Sequence, residues 1–431
     1  MSNRPFVNTP LQRGDRRARE IGNRFNGFDN ARKTVEPVPQ SSGRRHTPLK
    51  RGVNERGARR CGALLMLAAL IICAPANAAT HALKTRNVFL IVTDGFRWQE
   101  LFTGAEEALM DKTNGGVHNV QALRTQFWRE TPEARRQALL PFMWGEIAQH
   151  GQLYGNQLKG SIARITNDKR FSYPGYNEIF TGRADPRMDS NKKVPNPNVT
   201  VFEWLQGRPG FQRRVAALAT WDVFPSIFNC ARSGIPIWPT WEAKPNGIVP
   251  SKSLTQLVQD TTPLWEDLIF DSFMQQAAMD YIKEKKPRAL FLGYGETDEW
   301  AHESRYDLYL ECAHHVDQFI KSLWELTQSI SQYRDKTTFI ITTDHGRGSG
   351  LAGWKNHGEK TEGAENIWIA VLGPDTPPLG ERSQAGSVGQ NQIAATMAAL
   401  LGEDYGAAFP QAGQPITEVI GYKYKDKREE K

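Results

Sequence analysis

Cysteine is scarce: four residues in a chain of 431. Cys61 and Cys73 fall inside the uncharged stretch 61–78, which leaves Cys230 and Cys312 in the body. Two cysteines so distant in sequence exclude a disulfide-built scaffold, although they remain able to pair in an oxidising compartment. Long apolar runs are also missing. The most extended, residues 62–76, has 15 residues, too few for a membrane span and right for the core of a signal peptide. Arg56, Arg59 and Arg60 precede it, and Ala76-Asn77-Ala78 offers small residues at the usual cleavage spacing. Cleavage is expected after Ala78, giving a periplasmic or secreted protein with no stable membrane anchor; an uncleaved anchor is the alternative.

A basic excess is missing from the body, despite a formal net charge of +7. Of the 54 basic and 47 acidic residues, 15 and 5 lie in residues 1–60. That leaves 39 and 42, and a net charge of −3. Nucleic-acid binding is therefore not expected. Residues 1–60 read as a disordered basic arm, and Val53 as an alternative start would leave a compact signal over 61–78. Internal repeats are absent. Residues 79–431 are long enough for one large α/β domain, with insertions expected near 106–135 and 184–265.

What is present is a series of short β-rich runs alternating with helical patterns. Asn87–Thr93, Arg214–Thr220, Ala289–Tyr294, Thr337–Thr343 and Asn366–Leu372 read as strands. Residues 133–149, Trp265–Ile282, Tyr306–Ser329 and Asn391–Leu401 read as helices. The alternation predicts a three-layer α/β/α sandwich on a mostly parallel sheet.

Three of these strands run into acidic residues: Asp94, Asp298 and Asp344. Functional sites of open α/β sheets lie at that C-terminal edge. His302 follows Asp298 by four residues, one helical turn. His345 follows Asp344 directly, and His357 returns after a glycine-rich loop. Carboxylates mixed with imidazoles suit Zn²⁺ or Mn²⁺. Two such ions clamp both oxygens of an in-line displacement. Ser172, ahead of Pro174, reads as the N-cap of a helix over PGYNEIFTG, where amides and the positive dipole end would seat a phosphate. A plain capping serine is the alternative. Arg347 is suited to a phosphate oxygen or to an exposed loop.

In this order, Asp94, Ser172 before Pro174, Asp298 with His302, Asp344-His345 and His357 resemble the alkaline phosphatase superfamily. The nearest branches are phosphodiesterases, nucleotide pyrophosphatases and cofactor-independent phosphoglycerate mutases. The resemblance covers about residues 85–405. It implies one ion on Asp94, Asp344, His345 and the Ser172 oxygen, and a second on Asp298, His302 and His357. It further implies a covalent phosphoserine on Ser172 and an asparagine on a non-bridging oxygen, Asn191 first and Asn177 second. The expected substrate is a small-molecule phosphoester. Tyr176 stands four residues after Ser172, where formylglycine sulfatases need arginine, so that chemistry is not expected. A metal-binding scaffold of the same fold, without turnover, is the rival reading.

Overall fold

The computed structural model describes residues 82–238 and 247–421. The basic arm and the apolar segment at 61–78 lie outside the described residues. Among those described, no helix is long and apolar enough to cross a membrane.

Among the described residues ten strands form: β1 (Asn87–Thr93), β2 (Gln152–Tyr154), β3 (Ser161–Arg164), β4 (Val215–Ala219), β5 (Ile237–Trp238), β6 (Ala289–Tyr294), β7 (Thr337–Thr342), β8 (Ile369–Leu372), β9 (Gly380–Glu381) and β10 (Gly386–Gly389). Eight make one sheet in the order β5-β4-β6-β1-β7-β8-β2-β9, and β3 pairs with β10 apart from it. β1 sits at the centre, parallel to β6 on one side and β7 on the other. β8 alone runs against its neighbours. The sheet is thus mostly parallel, as its continuous apolar runs predict.

Both faces of β1 are buried, and its side chains alternate between two cores. Val88, Leu90 and Val92 face a layer containing α1 (Ser172–Thr181). Phe89 and Ile91 face the opposite layer, built from α2 (Asp271–Lys285), α3 (Glu296–His302) and α4 (Tyr306–Ser329). A later helix, α5 (Ile393–Leu400), packs beside α1. This is the expected three-layer sandwich.

Two expected helices differ. The pattern over 133–149 breaks at Leu140-Pro141. A helix covers Pro132–Leu139 and a wider π turn covers Met143–Ile147. Proline removes an amide donor there, and the Asp317 carboxylate captures the Phe142 and Met143 N–H groups, both at 2.8 Å. The helix expected from Trp265 starts only at Asp271. The preceding residues lie extended along the end of β4, with Ile269 N–H on the Thr220 carbonyl and Asp222 N–H on that of Asp267. Cys230 and Cys312 form no disulfide with each other.

Candidate functional site

β6, β1 and β7 are neighbours, so the residues that follow them meet at one edge. Asp94 leaves β1, Asp298 lies in the first turn of α3 after β6, and Asp344-His345 follow β7. Backbone room at this edge is supplied by glycine. A Cβ on Gly95, at φ +57°, would stand 2.4 Å from Asp298 Oδ1. A Cβ on Gly175 would stand 2.3 Å from the Asp344 carbonyl. These two absences let α1 and β1 close on the acidic residues.

The three carboxylates and three histidines converge. His345 Nε2 lies 3.4 Å from Asp94 Oδ1, 3.6 Å from Asp344 Oδ2 and 3.7 Å from Asp298 Oδ1. His302 Nε2 lies 3.0 Å from Asp298 Oδ2 and 2.9 Å from His357 Nε2. His357 Nε2 is 3.9 Å from Asp298 Oδ1. Two groups have the compactness of a metal site: Asp94, Asp344 and His345, and Asp298, His345 and His357. His345 bridges them.

The donor set fits cations for a further reason. Asp94 Oδ1 and Asp344 Oδ2 are buried with no hydrogen-bond partner, an expensive state for a carboxylate oxygen. Burial and then Asp298 push the Asp94 carboxyl well above its ordinary range. Burial and then Asp94 do the same to Asp344. Burial alone would also raise Asp298, but Arg347 and the histidines hold it well below the ordinary value. His357 is pushed down to about 2 by burial and by His345, so it is a neutral imidazole. Buried anions that repel one another beside a neutral imidazole are the surroundings a divalent ion reverses.

Ser172 is the first residue of α1, with Phe171 in the cap position. It is 6% exposed, and its Oγ lies 3.5 Å from His345 Nε2. The expectation of a capping serine is therefore corrected. The Gly175 N–H, which a capping Ser172 would take, goes to the Phe171 carbonyl at 3.0 Å, and the Tyr173 N–H goes to Asn191 Oδ1 at 3.0 Å. Tyr176, one turn on, donates to Asp94 Oδ2 at 2.9 Å.

Ser172, Asp94, Asp298, His302 and His357 open on a cleft of about 350 Å³. Asn191 lines it as well. Arg347 and Asn177 do not. Arg347 is 1% exposed; its guanidinium bonds the Asp298 carboxylate and the carbonyls of Gly95, Lys355 and Asp298. It steadies a ligand-type carboxylate and has no face towards the cleft. Asn177 is fully buried, its Oδ1 accepting from Asn196 and Asn198. It braces the loop after α1.

The far wall brings in Lys193, Trp221, Asp222, Asp267, Leu268 and Glu299, none of them singled out from sequence. Lys193 pairs with Asp222, and the Trp221 indole donates to Asp267 at 3.3 Å. Glu299 is raised to about 7 by burial and by Asp298. Asp222 had a signal: it follows β4, next to β6 at the same edge.

The sulfatase family model matches residues 248–403. No curated protein matches the chain. Among solved structures, Ps i-CgsB shares 17% identity over 77% of this chain and 75% of its own, with a TM-score of 0.47. The phosphonate monoester hydrolase SpPMH from Silicibacter pomeroyi shares 13% over 80% and 78%, at 0.49. An alkaline phosphatase superfamily protein from Vibrio parahaemolyticus shares 14% over 78% and 71%, at 0.46. The sulfatase match spans Asp298, His302, Asp344, His345 and His357, and over that segment the chain is similar to the sulfatase family.

Proposed function

We propose that the chain is an exported phosphoester hydrolase that uses two divalent cations and a covalent phosphoserine on Ser172. The observation that carries this reading is the placement of the Ser172 hydroxyl on the same cleft as both ligand-type clusters, 3.5 Å from the imidazole they share. Asp94, Asp344 and His345 would hold one ion with Ser172, and Asp298, His302 and His357 the other. Zn²⁺ suits this donor set best, and Mn²⁺ next. When bound, the ions supply positive charge that lowers the serine pKa and balances the phosphoryl oxygens.

The chain's own residues do the rest. Ser172 Oγ forms a bond to phosphorus while the bond to the leaving oxygen breaks on the opposite side. The cleft beyond His302 and Trp221 gives the leaving group room. Water then attacks phosphorus, restores the serine hydroxyl and releases phosphate or a phosphomonoester. Asn191, which borders the cleft beside Ser172, would contact a non-bridging oxygen.

Sulfate-ester hydrolysis is the second reading, favoured by the sulfatase match. That match begins at residue 248 and so includes neither Ser172 nor its surroundings. There, Tyr176 occupies the position four residues on and is tied to Asp94. This favours an unmodified serine and phosphoesters.

The test is a panel of aryl phosphomonoesters, phosphodiesters and sulfate esters, with chelator-stripped protein reloaded with Zn²⁺ or Mn²⁺. Acid quench with a labelled phosphoester should leave label on the peptide holding Ser172. Turnover of sulfate esters alone would replace this reading with the second one. Ion uptake with no turnover on any ester would favour the scaffold.

A further inference from the structure

Glu178 is fully buried on α1, six residues after Ser172. Its carboxylate is saturated. Oε1 accepts from the Thr166 amide at 2.8 Å and the Thr166 hydroxyl at 2.9 Å. Oε2 accepts from the Asn167 amide at 2.9 Å and the Asn167 side chain at 2.8 Å. An ionised carboxylate is an acceptor only, and four convergent donors are what it needs when removed from water.

The loop so pinned leads towards the site. Asn167 Oδ1 accepts from the Lys169 and Arg170 amides at 3.1 and 2.9 Å. Those bonds hold Arg170 in a left-handed conformation, φ +56°, which a side-chain-bearing residue adopts only where neighbours impose it. The turned carbonyl of Arg170 accepts the Gly358 N–H at 2.9 Å and meets His357 Nδ1 at 3.3 Å. The Arg170 side chain ties down the same segment through the Thr361 carbonyl at 3.3 Å and Glu365 at 3.2 Å. A carbonyl only accepts, so His357 carries its proton on Nδ1. Its Nε2 lone pair then faces His302 and Asp298.

We propose that Glu178 is a positioning residue for the cation centre, acting through Asn167 and the Arg170 carbonyl to fix the tautomer and direction of His357. This rests on the two-ion reading above. It also joins that centre to the nucleophile: Ser172 and Glu178 share one helix, so one element sets both the attacking oxygen and the imidazole opposite it. Outer partners that orient a ligating histidine typically change ion affinity 10- to 100-fold when removed.

The test is Glu178→Gln, whose amide sets an N–H against donors that now find an oxygen. Zn²⁺ is titrated calorimetrically into chelator-stripped full-length protein. One of the two binding events should weaken about 10- to 100-fold while the other holds. In a His357→Ala background Glu178→Gln should cause no further loss, because the residue through which it acts is gone. Nitrogen-15 spectra of labelled histidine in the stripped protein should show the Nδ1–H form of His357 in the wild type and a mixture in the variant. Should Glu178→Gln fold poorly, Asn167→Ala cuts the same chain one link on and takes its place. Equal weakening of both ions, a full further loss in the His357→Ala background, or an unchanged His357 tautomer would each overturn the proposal. A wild type that binds no divalent ion would overturn the two-ion reading instead, leaving the tautomer spectra to decide the positioning claim.

Discussion

The Tyr176 hydroxyl donates to Asp94 Oδ2 at 2.9 Å, and Asp94 Oδ1 is left buried with no donor at all. One oxygen of the carboxylate is anchored, so its partner points at His345. The ring that carries the hydroxyl is wedged edge-on against Phe224 and Phe291, at 4.7 and 6.1 Å between centroids. Tyr176→Phe keeps that packing and deletes only the hydrogen bond. A hydrogen bond to a charged group is worth about 1.5–3 kcal/mol. The variant should fold normally and bind one Zn²⁺ at least about tenfold more weakly. Calorimetric titration checks this; unchanged affinity would mean that Asp94 is oriented by other contacts.

Asp344 stands against the Asp94 charge in the stripped protein: burial and then Asp94 push its carboxyl upward, and burial and then Asp298 push that of Asp94. A bound cation removes that repulsion. Loading with Zn²⁺ or Mn²⁺ at a hundredfold excess over the dissociation constant should stabilise the fold by about 2.7 kcal/mol per ion. Asp344→Asn should reverse the order. Its oxygen still accepts the Gly95 N–H that now sits at 3.1 Å, and the charge set against Asp94 is gone. The stripped variant should therefore melt above the stripped wild type and gain less from added ion. Differential scanning calorimetry with and without chelator reads both differences.

Asp317 offers a pH signature far from the cleft. It is 2% exposed, and burial raises its carboxyl to about 7 against hydrogen bonds from Phe142 and Met143. A folded value above the ordinary 3.8 means that the native state holds the proton more tightly than the unfolded chain. Its contribution is fully present below that ordinary value and is lost as pH rises through about 7. Asp317→Asn cannot titrate. It should melt lower at acidic pH, where one backbone bond is lost, yet fall less than the wild type between pH 4 and pH 8. Parallel melting curves for the two proteins across that range would remove Asp317 as a contributor.

The central strands were legible because a buried parallel strand is a continuous apolar run, and Asn87–Thr93, Ala289–Tyr294 and Thr337–Thr342 end within two residues of where the pattern ends. Helix Tyr306–Ser329 was legible because its apolar spacing is long and regular. The misreadings have long-range causes. Residues 265–270 have helical spacing but are claimed by the end of β4, more than forty residues earlier. Pro141 breaks a helix that periodicity carries through, and the charge that caps the break is Asp317. The ligand-type side chains could be grouped from sequence because Asp94, Asp298 and Asp344 come just after strands that end at one edge, His302 stands one helical turn after Asp298, and His345 adjoins Asp344. The pairing of Arg347 with Asp298, 49 residues away, was not legible because it exists only in the fold. Lys193, Trp221 and Asp267 come from three separate stretches that share a wall only after folding.

Ser172 carries the sharpest prediction. Ser172 is 6% exposed, and its hydroxyl is not engaged as a helix cap, because the Phe171 carbonyl already takes the Gly175 amide. Removing it costs the fold little, since the Phe171 carbonyl still accepts the Gly175 N–H at 3.0 Å and Gly175 still packs on Asp344. Ser172→Ala should therefore melt within a few degrees of the wild type and still take up divalent ion on its carboxylates and imidazoles. Phosphoester turnover should nevertheless fall on the order of 10³-fold or more, about 4 kcal/mol of barrier, because the attacking oxygen is gone. Ser172→Thr keeps a hydroxyl and should retain part of the rate, with its added methyl crowding the approach. The labelled phosphopeptide seen on acid quench should vanish in the alanine variant and persist in the threonine one. Near-full activity in Ser172→Ala would show that water attacks phosphorus without a covalent step, and the role of Ser172 would shrink to that of a cleft-lining hydroxyl.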